Sequence, residues 1–112
     1  MRWISYALTT QQVRDRTKTV TRRIGWDNVQ KGELLQGAVK CQGLKKGEHP
    51  ERLSVVRVLD ARRERLNTIT QADVILEGFP DMTPKEFVRM FCQHNACKPT
   101  KVITRILFEY VD

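Results

Sequence analysis

Residues 101–111 read KVITRILFEYV, and the alternation in this stretch sets the fold class. Val102, Thr104, Ile106, Phe108 and Tyr110 share one face of a strand; Ile103, Arg105, Leu107, Glu109 and Val111 share the other. Apolar side chains stand on both faces, so this strand needs cover on both sides and belongs in the middle of a sheet. Farther back, RLSVVRVL (52–59) is a second β-branched strand, and DARRERL (60–66) either extends it or turns away. ELLQGAVK (33–40), TVTRR (19–23) and WISYAL (3–8) are three more candidates. Helices fit between them. Thr9 or Thr10 can cap a short helix over QQVRDR, and Thr70 with Asp73 resembles a capping box with aspartate where glutamate or glutamine is usual. Thr83-Pro84-Lys85-Glu86 has the full signature, predicting a helix to about His94 that buries Phe87, Val88 and Phe91, with Met90 at the edge of the stripe. Trp26 falls in a loop from Gly25 to Gly32, and CQGLKKGEHPE (41–51) is the segment predicted to be most mobile. Five or six strands with two or three short helices predict an α+β chain. A small, partly closed β-barrel fits best, with an open α+β sheet as the alternative.

The chain has 112 residues, enough for one modest core and one domain spanning 1–112. Forty per cent hydrophobic and 29% charged residues exclude a disordered chain, and no apolar run approaches the roughly 20 residues of a membrane span. MRWISYALTT lacks the pattern of a secretory signal. Three cysteines, Cys41, Cys92 and Cys97, are an odd number, which suits reduced thiols in a cytoplasm rather than a disulfide framework. No cofactor motif is present. Twenty Lys+Arg against 13 Asp+Glu give a net charge of +7, which favours polyphosphate partners: RNA, DNA or nucleotides.

The cations concentrate in RDRTKTVTRR, residues 14–23. Arg16, Lys18, Arg22 and Arg23 can neutralise phosphates there, while Thr19 and Thr21 hydrogen-bond to phosphate or sugar oxygens. A solvated basic edge is the plainer reading. Catalysis is a third: a lysine desolvated among arginines loses its proton more easily, and a neutral Lys18 amine can activate the Thr21 hydroxyl. Positions three apart lie on opposite faces of a strand, so Lys18 would have to sit on the turn before it.

Other candidates lie outside this stretch. Glu77 ends the apolar helix QADVIL and precedes Gly78, a natural stop. A carboxylate at a helix C-terminus is disfavoured by the macrodipole, so Glu77 is either solvated or compensated by a cation such as Lys18. Cys92, His94 and Cys97, with Cys41 as a fourth, are zinc-ligand types whose spacing matches no usual ligand pair. Trp26, beside the arginine pair, can stack a base or close the barrel end. The second cluster, Arg57 with Arg62, Arg63 and Arg65, is diluted by Asp60 and Glu64 and reads as a solvated face.

The pieces RTKTVTRR, KGELL, ITQADVILEGF and the final alternating strand, in this order, resemble the ASCH domain, a small β-barrel family of the PUA-like superfamily, in its compact phage and bacterial form. The family pattern is an Arg/Gly-Lys-Thr-x-Thr-x-Arg segment, a Gly-Asp/Glu-x-Leu strand start and a helix ending in Glu-Gly-Phe. Here these are Arg16 to Arg23, Gly32-Glu33-Leu34-Leu35 and Glu77-Gly78-Phe79. The resemblance implies binding of RNA, single-stranded nucleic acid or a modified nucleotide in a basic cleft beside the Lys-Thr segment, in a bacterial or phage-infected cytoplasm and without a membrane. One bacterial branch hydrolyses the amide of base-acetylated cytidine with a lysine, a threonine three residues on and a glutamate. Those roles carry over to Lys18, Thr21 and Glu77. Another branch is associated with ribonuclease activity. This sequence departs from the hydrolase branch in having Val20 and Arg22 around the key residues, in its Cys/His segment and in its charge. A protein-interaction module using the basic face is the remaining class.

Overall fold

The central strand organises the molecule. A computed structural model describes residues 1–41 and 44–112; residues 42 and 43, within the loop expected over 41–51, lie outside the described residues. The elements are β1 (Arg2–Ser5), α1 (Thr10–Arg14), β2 (Val20–Arg23), β3 (Leu34–Ala38), β4 (Arg52–Arg65), a 3-10 turn (Leu66–Thr68), α2 (Gln71–Leu76), α3 (Pro84–Asn95) and β5 (Val102–Tyr110). All five strands join one sheet in the order β1-β3-β4-β5-β2. β1 pairs parallel with β3 and the other pairs are antiparallel. The sheet curls into a half-barrel edged by β1 and β2, an α+β architecture of the PUA-like kind.

Both faces of β5 are used. Ile106 and Phe108 pack inside the half-barrel with Ile4, Tyr6, Val13, Leu35, Val56 and Val58. Ile103, on the opposite face, packs with Leu66, Ile69, Val74, Phe87 and Phe91 under the helices. One strand thus serves as a wall for two apolar clusters, which is why its sequence is apolar on both sides.

Tertiary partners decide the local details that the sequence pattern leaves open. β4 does not turn away at DARRER but runs on to Arg65, because β5 pairs with it from Asp60↔Leu107 to Arg65↔Val102. A register shift between Val58 and Asp60 inserts an extra residue and bends this 14-residue strand. β1 ends at Ser5 rather than at 8, since Tyr6 turns the chain into α1, its carbonyl accepting from the Thr9 amide and the Thr10 hydroxyl. Thr9 occupies the cap position of α1 without a side-chain cap bond. The capping box at Thr83 and Glu86 closes in both directions. At Thr70 only half of a box forms: its hydroxyl accepts from the Asp73 amide, 3.2 Å, while the Asp73 carboxylate is drawn elsewhere. Among the described residues, no helix is long and apolar enough to cross a membrane.

Candidate functional site

After α1 the chain reverses through Arg16, which adopts φ 61°, and runs extended through 17–19 into β2. Lys18 therefore sits on the turn before the strand. Its neighbour Thr19 donates its amide to Leu76 O (2.9 Å) and accepts from the Phe108 amide (3.0 Å), so this turn is wedged between α2 and β5. The Tyr110 hydroxyl donates to the Lys18 carbonyl.

So held, the Lys18 ammonium meets the end of α2. Nζ donates to Glu77 Oε1 at 2.8 Å and to the Glu77 carbonyl at 2.9 Å. Glu77 is the C-cap, followed by Gly78 at φ 104°. The penalty for a carboxylate at a helix C-terminus is offset by Lys18 and by Arg22, whose Nη1 donates to Glu77 Oε2 at 3.1 Å. Arg22 Nη2 reaches Asp73 Oδ2 at 2.6 Å and Glu64 Oε1 at 2.9 Å. Arg105 then closes on Asp73 in a fork, with bonds of 2.7 and 3.0 Å. A continuous ionic seam runs Lys18–Glu77–Arg22–Asp73–Arg105. Lys18, Glu77 and Arg22 are only 2%, 3% and 4% exposed.

Burial sets the protonation tendencies. Desolvation pushes the Lys18 pKa down; Glu77 opposes this, and Arg23 and Arg22 add to it. Hydrogen bonds from Arg105, with help from Arg22, hold the Asp73 carboxyl at about 2, well below the ordinary carboxylate value.

The seam forms one side of a cavity of about 570 Å³. Lys18, Thr21, Arg22, Arg23 and Glu77 border it, with Trp3, Tyr6, Trp26, Phe79 and Phe91 supplying apolar walls and His94 and Asn95 a polar edge. Thr21 and Arg23 share a face of β2 by the two-residue period, and Arg23 Nε donates to Thr21 Oγ1 at 3.0 Å. The Arg23 guanidinium lies over the Tyr6 ring, 5.3 Å from its centre, and burial lowers its pKa. Trp26 stands in a left-handed conformation, φ 57°, with the Arg2 guanidinium 4.7 Å from its ring centre. Lys18, Thr21 and Glu77 therefore border one cavity, and Glu77 does not point to solvent.

The cations expected to meet phosphates are divided. Arg22 borders the cavity, but its terminal nitrogens are engaged by three carboxylates, so it is not free for a phosphate. Arg16 is turned outward, stacked 5.0 Å from the Tyr110 ring centre and paired with Asp112 at 3.3 Å. Thr19 is held by backbone bonds away from the cavity walls. Arg23 and Lys40 are the cavity cations for which no carboxylate partner is found among the described residues. The four zinc-ligand types do not assemble: Cys92 and Cys97 approach to 3.8 Å between sulfurs, whereas His94 and Cys41 border the cavity. Among the described residues no group of three or more His, Cys, Asp or Glu is arranged to hold a metal ion. Trp3, Tyr6, Phe79 and Asn95 escaped sequence reasoning as site residues. Nothing in a short strand separates a cavity wall from a core wall.

Comparison with known proteins finds the fold. No family model matches the chain, and no curated protein matches it. Among solved structures, the ASCH domain from Lactobacillus crispatus JV V101 superposes with a TM-score of 0.64 at 11% identity, over 97% of this chain and 78% of that one. A protein from Enterococcus faecalis V583 described by the DUF984 family model gives 0.65 at 19% identity, over 98% and 78%. A hypothetical protein of known crystal structure gives 0.66 at 13% identity, over 99% of this chain and 100% of that one. The ASCH fold is what these likenesses share with this chain.

Proposed function

From the ASCH fold and this cavity, we propose that the chain is a hydrolase that accepts one acylated pyrimidine base and cleaves its exocyclic amide. The observation that carries this reading is the buried contact of 2.8 Å between Lys18 Nζ and Glu77 Oε1, in the same cavity as the Thr21 hydroxyl. Proton transfer from Lys18 to Glu77 gives a neutral amine, a step helped by the desolvation that already lowers the lysine pKa. Thr21 Oγ then attacks the acyl carbonyl carbon and its proton passes to Lys18 Nζ. Collapse of the tetrahedral intermediate breaks the C–N bond, and the departing amine of the base takes that proton. Water, deprotonated by the same lysine, attacks the acyl carbon; the C–O bond to Thr21 breaks, the lysine returns the proton to Thr21 Oγ, and the acyl group leaves as a carboxylic acid. Arg23, already donating to Thr21 Oγ1, stands beside the nucleophile, where its guanidinium stabilises the acyl oxygen as negative charge develops on it. The aromatic walls suit a flat base.

The charge distribution supports a small ligand over a polymer at this cavity, because Lys18 and Arg22 spend their charge on Glu77, Asp73 and Glu64. Incubation of the purified protein with base-acetylated cytidine should release cytidine and acetate. Thr21→Ala, Lys18→Ala and Glu77→Gln should each abolish release while retaining the folded far-UV signature. Full activity in any two of them would remove the triad.

The net charge of +7 favours a second reading, in which single-stranded RNA docks on the surface and inserts one base into the cavity, with Trp26 and Arg2 at the rim. Its affinity would then fall steeply between 50 and 200 mM salt, by about a factor of ten or more for several phosphate contacts. A flat salt response would sink it.

A further inference from the structure

Tyr6, which borders the cavity, has a polar side-chain atom without a hydrogen-bond partner among the described residues. Tyr6 is 1% exposed, and among the described residues its hydroxyl is one of two buried side-chain polar atoms without a hydrogen-bond partner. The other, Arg22 Nε, belongs to a group otherwise engaged by three carboxylates. The side-chain contacts that fix Tyr6 act on its ring. Phe108 packs 6.0 Å away between ring centres, and Arg23 lies over one face. Gly37 leaves the ring its space, since a Cβ there would stand 2.7 Å from Tyr6 Cε2. A phenylalanine would make all these contacts. The hydroxyl, buried and unpaired, is a liability to the free protein unless something else receives it.

Resting on the reading of the cavity as a pocket for an acylated pyrimidine, we propose that the Tyr6 hydroxyl is a ligand-binding donor, giving its proton in a hydrogen bond to a carbonyl oxygen at the buried end of the ligand. The ligand class this selects presents such an oxygen without a competing donor beside it: an amide carbonyl or the ring carbonyl of a pyrimidine. Three features converge on this. Tyr6 borders the cavity that Lys18, Thr21 and Glu77 also border. Burial raises the phenol pKa above its ordinary value, so the hydroxyl stays protonated and able to donate. The Arg23 guanidinium lies against the same ring, so a carbonyl seated here meets donors from the turn after β1 and from β2.

The test is Tyr6→Phe, made in a Thr21→Ala background so that bound base-acetylated cytidine is not consumed. Calorimetric titration should give affinity about fivefold weaker or more with the hydroxyl removed. Thermal unfolding of the unliganded protein should be unchanged or shifted upward, because a buried orphan has been deleted. Unchanged affinity would overturn the proposal. So would a drop in the melting temperature of the unliganded protein, which would show that the hydroxyl serves the fold. Failure of both base-acetylated cytidine and cytidine to bind would overturn it too. Hydrolysis is scored separately on the otherwise unmodified protein. Binding without turnover would end the hydrolase reading and leave Tyr6 as the donor; turnover with an indifferent Tyr6→Phe would do the reverse.

Discussion

The half-barrel core and the ionic seam are buried to nearly the same degree and are built on opposite terms. Val56, Val58 and Ile106 are fully shielded, and each contributes in proportion to the apolar area it removes from water, about 25 cal/mol per Å². Lys18, Arg22 and Glu77 are almost as well hidden, yet each has given up hydration that only its partners replace. A core residue fails alone when it is truncated. A seam residue strands its neighbours. A fold of this size has no structural need for such a seam, since apolar side chains of similar volume serve stability as well or better. Three of its members, Lys18, Arg22 and Glu77, border the cavity.

The largest effect should separate the two regions outright. Glu77→Ala leaves Lys18 and Arg22 buried without their shared carboxylate, and the expected loss is about 3–5 kcal/mol in denaturant unfolding. Ile106→Val, which removes one methylene from the core, should cost only about 1 kcal/mol. Equal losses would mean that the seam is ordinary packing. Acid sharpens the contrast next. The Asp73 pKa is held at about 2, below its usual 3.8, so the native state resists protonating it. That contribution is fully present above the usual value and disappears as pH falls from about 4 toward 2. A melting-temperature profile should decline through this window, and Asp73→Asn should flatten the decline while leaving the core's contribution unchanged. The smallest effect compares the two helices that carry the threonine caps. Thr83→Ala breaks a closed capping box and should cost about 1 kcal/mol; Thr70→Ala, with only half a box to lose, should cost about half that.

What the sequence made legible follows from how local each signal is. The two-faced alternation over 102–111 announced a central strand because each face has its own apolar cluster to fill. Thr83 to Glu86 announced a helix start because a capping box is complete within four residues. The meeting of a cation with Glu77 was foreseeable because a carboxylate at a helix end asks for one. The rest depended on long-range pairing. DARRER carries the polarity of a loop and became strand only because β5 lay beside it. Asp73 sits where a capping side chain belongs, but Arg22 and Arg105, 51 and 32 residues away, drew its carboxylate out of the box. RDRTKTVTRR looks uniformly basic, yet the fold sends Arg16 to the outer surface, Arg22 into the seam and Arg23 to the cavity. Three identical side chains, Arg16, Arg22 and Arg23, have three environments, and only the tertiary structure assigns them.

Gly78 has a mechanical meaning beyond ending α2. A Cβ at this position would stand 2.8 Å from Gln12 Cγ, and the Gln12 side-chain amide donates to the Gly78 carbonyl at 3.1 Å. The backbone carbonyl of the same Gln12 accepts from the amide of Thr17 at 3.0 Å. One glutamine therefore grips both sides of the lysine–glutamate contact, like the pivot of a pair of tongs. A side chain at 78 would press on Gln12 and push the two jaws apart. The glycine is what lets this glutamine hold the chain on both sides of the charged pair.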